Sequence, residues 1–91
     1  MEGKEKRTVE VRGREYEVDE KALGSWRAFN LVRKMESGRE MEKVDAAIGF
    51  VELVCGATED DIVEACGGDD AEAAEVIAVV FDLIKGCYPK N

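Results

Sequence analysis

Residues 8–35, TVEVRGREYEVDEKALGSWRAFNLVRKM, decide the fold. In the first half Val9 and Val11, then Tyr16 and Val18, alternate with polar residues at a period of two, the pattern of strands with one wet face and one buried. Gly13, between Arg12 and Arg14, supplies the positive φ of a tight primed turn, so residues 8–12 and 15–18 read as one antiparallel hairpin. A lone hairpin is marginal in water, and its Val9, Val11, Tyr16 and Val18 face must therefore lie on apolar helices. In the second half the period changes. After room for a short turn at 21–23, Ser25 can cap a helix over 25–36 that Gly38 ends. Trp26, Ala28, Phe29, Leu31, Val32 and Met35 read as one broad apolar arc, with Arg27, Asn30, Arg33 and Lys34 opposite. Trp26 sits at the border, open to two roles: a core anchor, or a binding residue whose indole N–H reaches a partner.

Working outward, a second helix over 40–55 puts Met41, Val44, Ala47, Ile48, Val51, Val54 and Cys55 on one stripe, with Phe50 at its edge and Gly56 as terminator. On its other side Ala46, Gly49 and Leu53 recur at spacings of three and four, where small residues admit a second contact. A mid-helix glycine costs about 1 kcal/mol relative to alanine, which argues for something packing on Gly49. Thr58 and Asp61 form a capping box that opens a short helix closed by Gly67 and Gly68. Asp69 and Glu72 read as a second box, opening a helix over 71–85. There Ala73, Val76, Ile77, Val80, Phe81, Leu83 and Ile84 face inward, and Val79 is left outside among Glu72, Glu75 and Asp82. With Leu53 it marks where a partner would land. The expected fold class is α+β, mainly α: an N-terminal β-hairpin packed on a compact bundle of about four helices.

A chain of 91 residues makes one domain, expected over 8–91 behind a flexible tail of the first seven residues, MEGKEKR. Apolar residues at 45% and charged ones at 37% place it with globular proteins. No apolar run reaches the roughly 20 residues of a bilayer crossing, and the N-terminus lacks a signal peptide's apolar centre, so a cytoplasmic protein without membrane contact is expected. Cys55, Cys66 and Cys87 form no CxxC pair, and there is no histidine to complete a zinc site. They read as small buried hydrophobes in a reducing compartment, with no metal and no cofactor. The net charge of −8 is unevenly spread: residues 1–43 carry a net +1 and residues 44–91 a net −9. Opposite fields at two ends favour salt-sensitive head-to-tail contacts, hence a possible homo-oligomer.

Enzyme chemistry finds no footing. Without histidine the commonest general base is missing, and there is no GxSxG or Walker-type glycine loop. The carboxylates at 59–61 and 69–70 suit helix starts, where they meet the positive end of the dipole. Residues 67–75 lack the alternating oxygen ligands of a calcium loop. Residues 61–80 have the outline of a helix-turn-helix, but Asp70, Glu72, Glu75 and Asp82 against one Lys85 would repel phosphates. The basic side formed by Arg27, Arg33 and Lys34 is flanked by glutamates and reads as a solvated or protein-facing surface, not one for nucleic acid.

Taken together, TVEVRGREYEVDEKALGSWRAFNLVRKMESG, a helix ending in CG, and TEDDIVEACGGDDAEAAEVIAVVFDLI resemble the tail assembly chaperones of long-tailed bacteriophages and prophages. The likeness runs from Thr8 to Ile84 and rests on the Gly13 turn, the helix opening at Ser25-Trp26-Arg27, and the acidic glycine break at 67–70. It implies a non-enzymatic morphogenesis factor of the infected cell, absent from the mature virion. Its partners would be the tape measure protein, whose long apolar helices it keeps soluble, and tail tube subunits that it helps recruit. The candidate partner-binding residues are Trp26, Arg27, Arg33, Lys34, Ala46, Gly49, Leu53 and Val79. A different class also fits the composition: a small acidic regulatory adaptor or inhibitor of a mobile element that masks a basic surface of its partner.

Overall fold

Two antiparallel strands, β1 (Arg7–Val11) and β2 (Arg14–Val18), lead into α1 (Glu20–Leu23), α2 (Trp26–Ser37), α3 (Glu40–Cys55), α4 (Glu59–Ala65) and α5 (Ala73–Cys87). The computed structural model describes residues 7–88; of the expected tail, Arg7 belongs to β1 and the rest lies outside the described residues. The fold is the expected hairpin on a mainly helical bundle, with α1 a single turn.

The strands pair Val9 with Tyr16 and Val11 with Arg14, so the four predicted residues share one face. Arg12 and Gly13 take φ of 56° and 80°, both left-handed as a type I′ turn demands. Arg12 can hold that conformation at some cost, and its guanidinium pairs with Glu75 at 2.8 Å, tying the turn to the start of α5. At the other end of the hairpin Arg7 donates to the carbonyls of Gly86 (3.2 Å) and Cys87 (2.5 Å), closing the last turn of α5. The Asp19 N–H donates to the Val54 carbonyl at 2.8 Å, which satisfies an end group of α3.

Local signals set the helix starts. Ser25 Oγ accepts from the Ala28 N–H at 3.1 Å. The Thr58 hydroxyl accepts from the Asp61 N–H at 3.2 Å while the Asp61 carboxylate accepts from the Thr58 N–H at 3.0 Å, a reciprocal box. The backbone bond, with the hydroxyl's help, holds the Asp61 carboxyl below its ordinary pKa. The second predicted box does not form. Gly67 and Gly68, with φ of 119° and 65°, turn the chain into a 3-10 turn over Gly68–Asp70; Ala71 is extended, and α5 begins at Ala73 with no side-chain cap from Glu72. Gly38 ends α2 in extended conformation, whereas Gly56 ends α3 in the left-handed one.

The core joins two clusters. One gathers Val11, Ala47, Val51, Ala57, Ile62, Val79, Val80 and Leu83, and the other Val18, Ala28, Phe50, Val54 and Cys87. Val79 is therefore a core residue, 2% exposed, and Phe81 lies at the rim. The buried line of α5 is turned by roughly 40° from the one its hydropathy suggests. The reason is that α5 packs against α3, β1 and α4 at once, and Val79 shares its cluster with residues of all three, among them Ile62 of α4. Met41, expected on the inner stripe of α3, is exposed in that helix's first turn.

Two glycines report how closely elements approach, and their alanine variants are expected to move stability in opposite directions. A Cβ on Gly49 would meet Leu31 of α2 at 3.5 and 3.9 Å, ordinary contact, so Gly49→Ala should stabilise by about 0.5–1 kcal/mol through helix propensity. A Cβ on Gly86 would overlap Cγ1 of Val9 and lie 3.4 Å from its Cβ, so the whole side chain must shift. Gly86→Ala is expected to cost about 1–2 kcal/mol. Urea unfolding of the two variants beside the parent checks both signs.

Candidate functional site

At 100° per residue, α2 has two apolar faces rather than one arc. Ala28 is buried, and Leu31, Val32 and Met35 are half-buried against the bundle. Trp26 and Phe29 point the other way, 66% and 50% exposed. The core-anchor role for Trp26 is thereby corrected: an inward side is already filled by residues roughly half a turn away from it.

The outer face is ordered by its own contacts. The Trp26 and Phe29 rings lie one turn apart with centroids 5.2 Å from each other and planes tilted by 34°. The Arg33 guanidinium lies over both, 5.7 Å from the indole centroid and 5.8 Å from the phenyl. Arg33 also donates to Asn30 Oδ1 at 2.8 Å, which fixes the cation in place. Two flat aromatic surfaces and a held cation thus face solvent together. Adjacent exposed large apolar residues of this kind mark contact surfaces.

Asn30 also borders a groove of about 570 Å³ between α2 and α3, lined by Arg27, Asn30, Leu31, Gly49, Glu52 and Leu53. The platform and the groove therefore adjoin. Glu52 and Arg27 put opposite charges in the groove lining, and Leu31 and Leu53 give it an apolar floor. Lys34 lies further along α2, beside Arg33 and Ser37.

Of the predicted contact residues, Trp26, Arg27, Arg33 and Lys34 are exposed on α2, and Gly49 and Leu53 line the neighbouring groove. Ala46 and Val79 are corrections. Ala46 is buried because the helix that its small side chain admits is the chain's own α2, and Val79 is covered inside the first cluster. Phe29, Asn30, Leu31 and Glu52 were missed as site residues, though a helical wheel that separated Trp26 and Phe29 from Ala28 and Met35 would have found the first.

On the rest of the surface, Glu59, Asp60, Asp61, Asp69, Asp70 and Glu72 form an exposed acidic edge around α4 and the 3-10 turn. Among the described residues no group of three or more cysteine or acidic side chains is arranged to hold a metal ion. None of the described helices is long and apolar enough to cross a membrane. Comparison with family models, curated proteins and solved structures gives no match for this chain.

Proposed function

We propose that this chain is a non-enzymatic binding module that holds an apolar helical segment of a partner protein on the outer face of α2, in the role of a tail assembly chaperone of a long-tailed phage or prophage. The partner is the tape measure protein, with tail tube subunits recruited to the same complex, in the cytoplasm of the host cell. The observation that carries the reading is the paired exposure of Trp26 and Phe29 beneath Arg33. Apolar residues at i, i+3 and i+4 of a docked helix can cover two rings one turn apart, and acidic side chains on that helix can pair with Arg27, Arg33 and Lys34. The net charge of −8 keeps such a complex in solution.

Co-expression with a fragment of a phage tape measure protein tests the proposal. The fragment is expected to move from the insoluble to the soluble fraction and to copurify with the chain. A fragment that stays insoluble defeats the chaperone reading. Capture of a basic partner that is indifferent to changes on α2 would instead support the regulatory adaptor, acting through the acidic edge.

A further inference from the structure

The last residues of α3 and α5, Cys55 and Cys87, place their sulfurs 3.4 Å apart although the residues are 32 positions apart in the chain. Cys66, the third thiol, lies at the end of α4. All three are free. Packing alone does not require two thiols to meet, and the pair has a setting suited to thiol chemistry. Cys87 is buried, whereas Cys55 is half-buried and lines a surface cavity together with Arg7, which makes Cys55 the sulfur open to a small reagent. The hydrogen bond between the thiols pulls Cys87 below the usual thiol range and, with burial, pushes Cys55 above it; Arg7, bonded to the Cys87 carbonyl, adds a smaller pull toward the ionised form of either sulfur.

We propose that Cys55 and Cys87 form a redox-responsive dithiol that closes to an intramolecular disulfide by exchange with a small disulfide such as oxidised glutathione. The pair releases its first proton as a unit, and the remaining proton bridges the sulfurs. The proton rests mainly on Cys55; in the less populated arrangement with the proton on Cys87, the more accessible Cys55 thiolate attacks one sulfur of the glutathione disulfide, forming a mixed disulfide and expelling one glutathione thiolate. Cys87 then loses its proton beside Arg7 and attacks Cys55 Sγ, breaking the mixed disulfide and expelling the second glutathione. Two protein thiols lose two electrons and two protons, and one glutathione disulfide becomes two glutathione thiols. The sulfurs must close from 3.4 Å to about 2.05 Å. The bond ties the C-terminal turn of α5, and Tyr88 stacked 6.0 Å from Phe50, to the end of α3.

Purified protein incubated with oxidised glutathione is expected to show an intact mass about 2 Da below the reduced form, one remaining free thiol, and a crosslinked peptide pair containing Cys55 and Cys87. Dithiothreitol should reverse the change. The oxidised form should melt roughly 10 °C higher, because the crosslink restricts the unfolded chain. Cys66→Ala should still crosslink, and Cys87→Ala should stop at the glutathione adduct on Cys55. Retention of three free thiols, a glutathione adduct that persists in the parent protein, or a crosslink through Cys66 would each overturn the proposal.

Discussion

Val79→Asp is expected to unfold the domain. The side chain is 2% exposed and packs in the cluster with Ala57, Ile62, Val80 and Leu83. Replacing it removes buried apolar surface worth about 1.5–3 kcal/mol and leaves a carboxylate without a charge partner in that cluster. The combined loss is on the order of 4 kcal/mol or more, against a total stability on the order of 5–14 kcal/mol for a chain of this length. Thermal melting by circular dichroism should show a loss of cooperativity or a large fall in Tm. Phe81→Asp, two residues on and at the rim, should shift Tm by a small fraction of that. A Val79→Asp protein melting within a few degrees of the parent would place Val79 on the surface and contradict the packing of α5.

Trp26→Ala and Phe29→Ala are expected to do the reverse, weakening partner binding while leaving the fold intact. Both rings are at least half exposed, so little core packing is lost. As an exposed, mutually tilted pair on a helix they have the character of binding hot spots, where truncation costs about 2 kcal/mol or more, a loss of about 30-fold in affinity for each. Arg33→Ala should cost less, since an exposed cation–π contact is worth about 0.5–1 kcal/mol. Titration calorimetry with the solubilised tape measure fragment, alongside melting curves, separates the two effects. Undiminished affinity in the Trp26→Ala/Phe29→Ala double variant would remove the outer face of α2 from the proposed function.

The contrast between Val79 and Trp26 shows which features were legible in the sequence. Strand alternation, the Gly13 turn and the caps at Ser25 and Thr58 are set by near neighbours, and each appears where its residues predict. Which side of a helix is buried depends on how many elements surround it. Both α2 and α5 have apolar residues around more than half of their circumference, so hydropathy left the facing undetermined; for α5, packing on α3, β1 and α4 together settles it. The grouping of Trp26 and Phe29 with Ala28 and Met35 was an error of angle that helix geometry alone could correct. The meeting of Cys55 with Cys87 was invisible, because it depends on how α3 and α5 converge and no local pattern encodes it.

The grip of Arg7 on the carbonyls of Gly86 and Cys87 spans 79 and 80 positions. The hairpin is the first described element to leave the ribosome, and the helix that shelters it is the last. Until α5 emerges, Val9 and Val11 have lost one of the surfaces that dry them, and a two-stranded ribbon has little stability of its own. Completion of the native state therefore waits until α5 has been made, and a nascent chain stalled before Gly86 would display an uncovered apolar ribbon to chaperones and proteases.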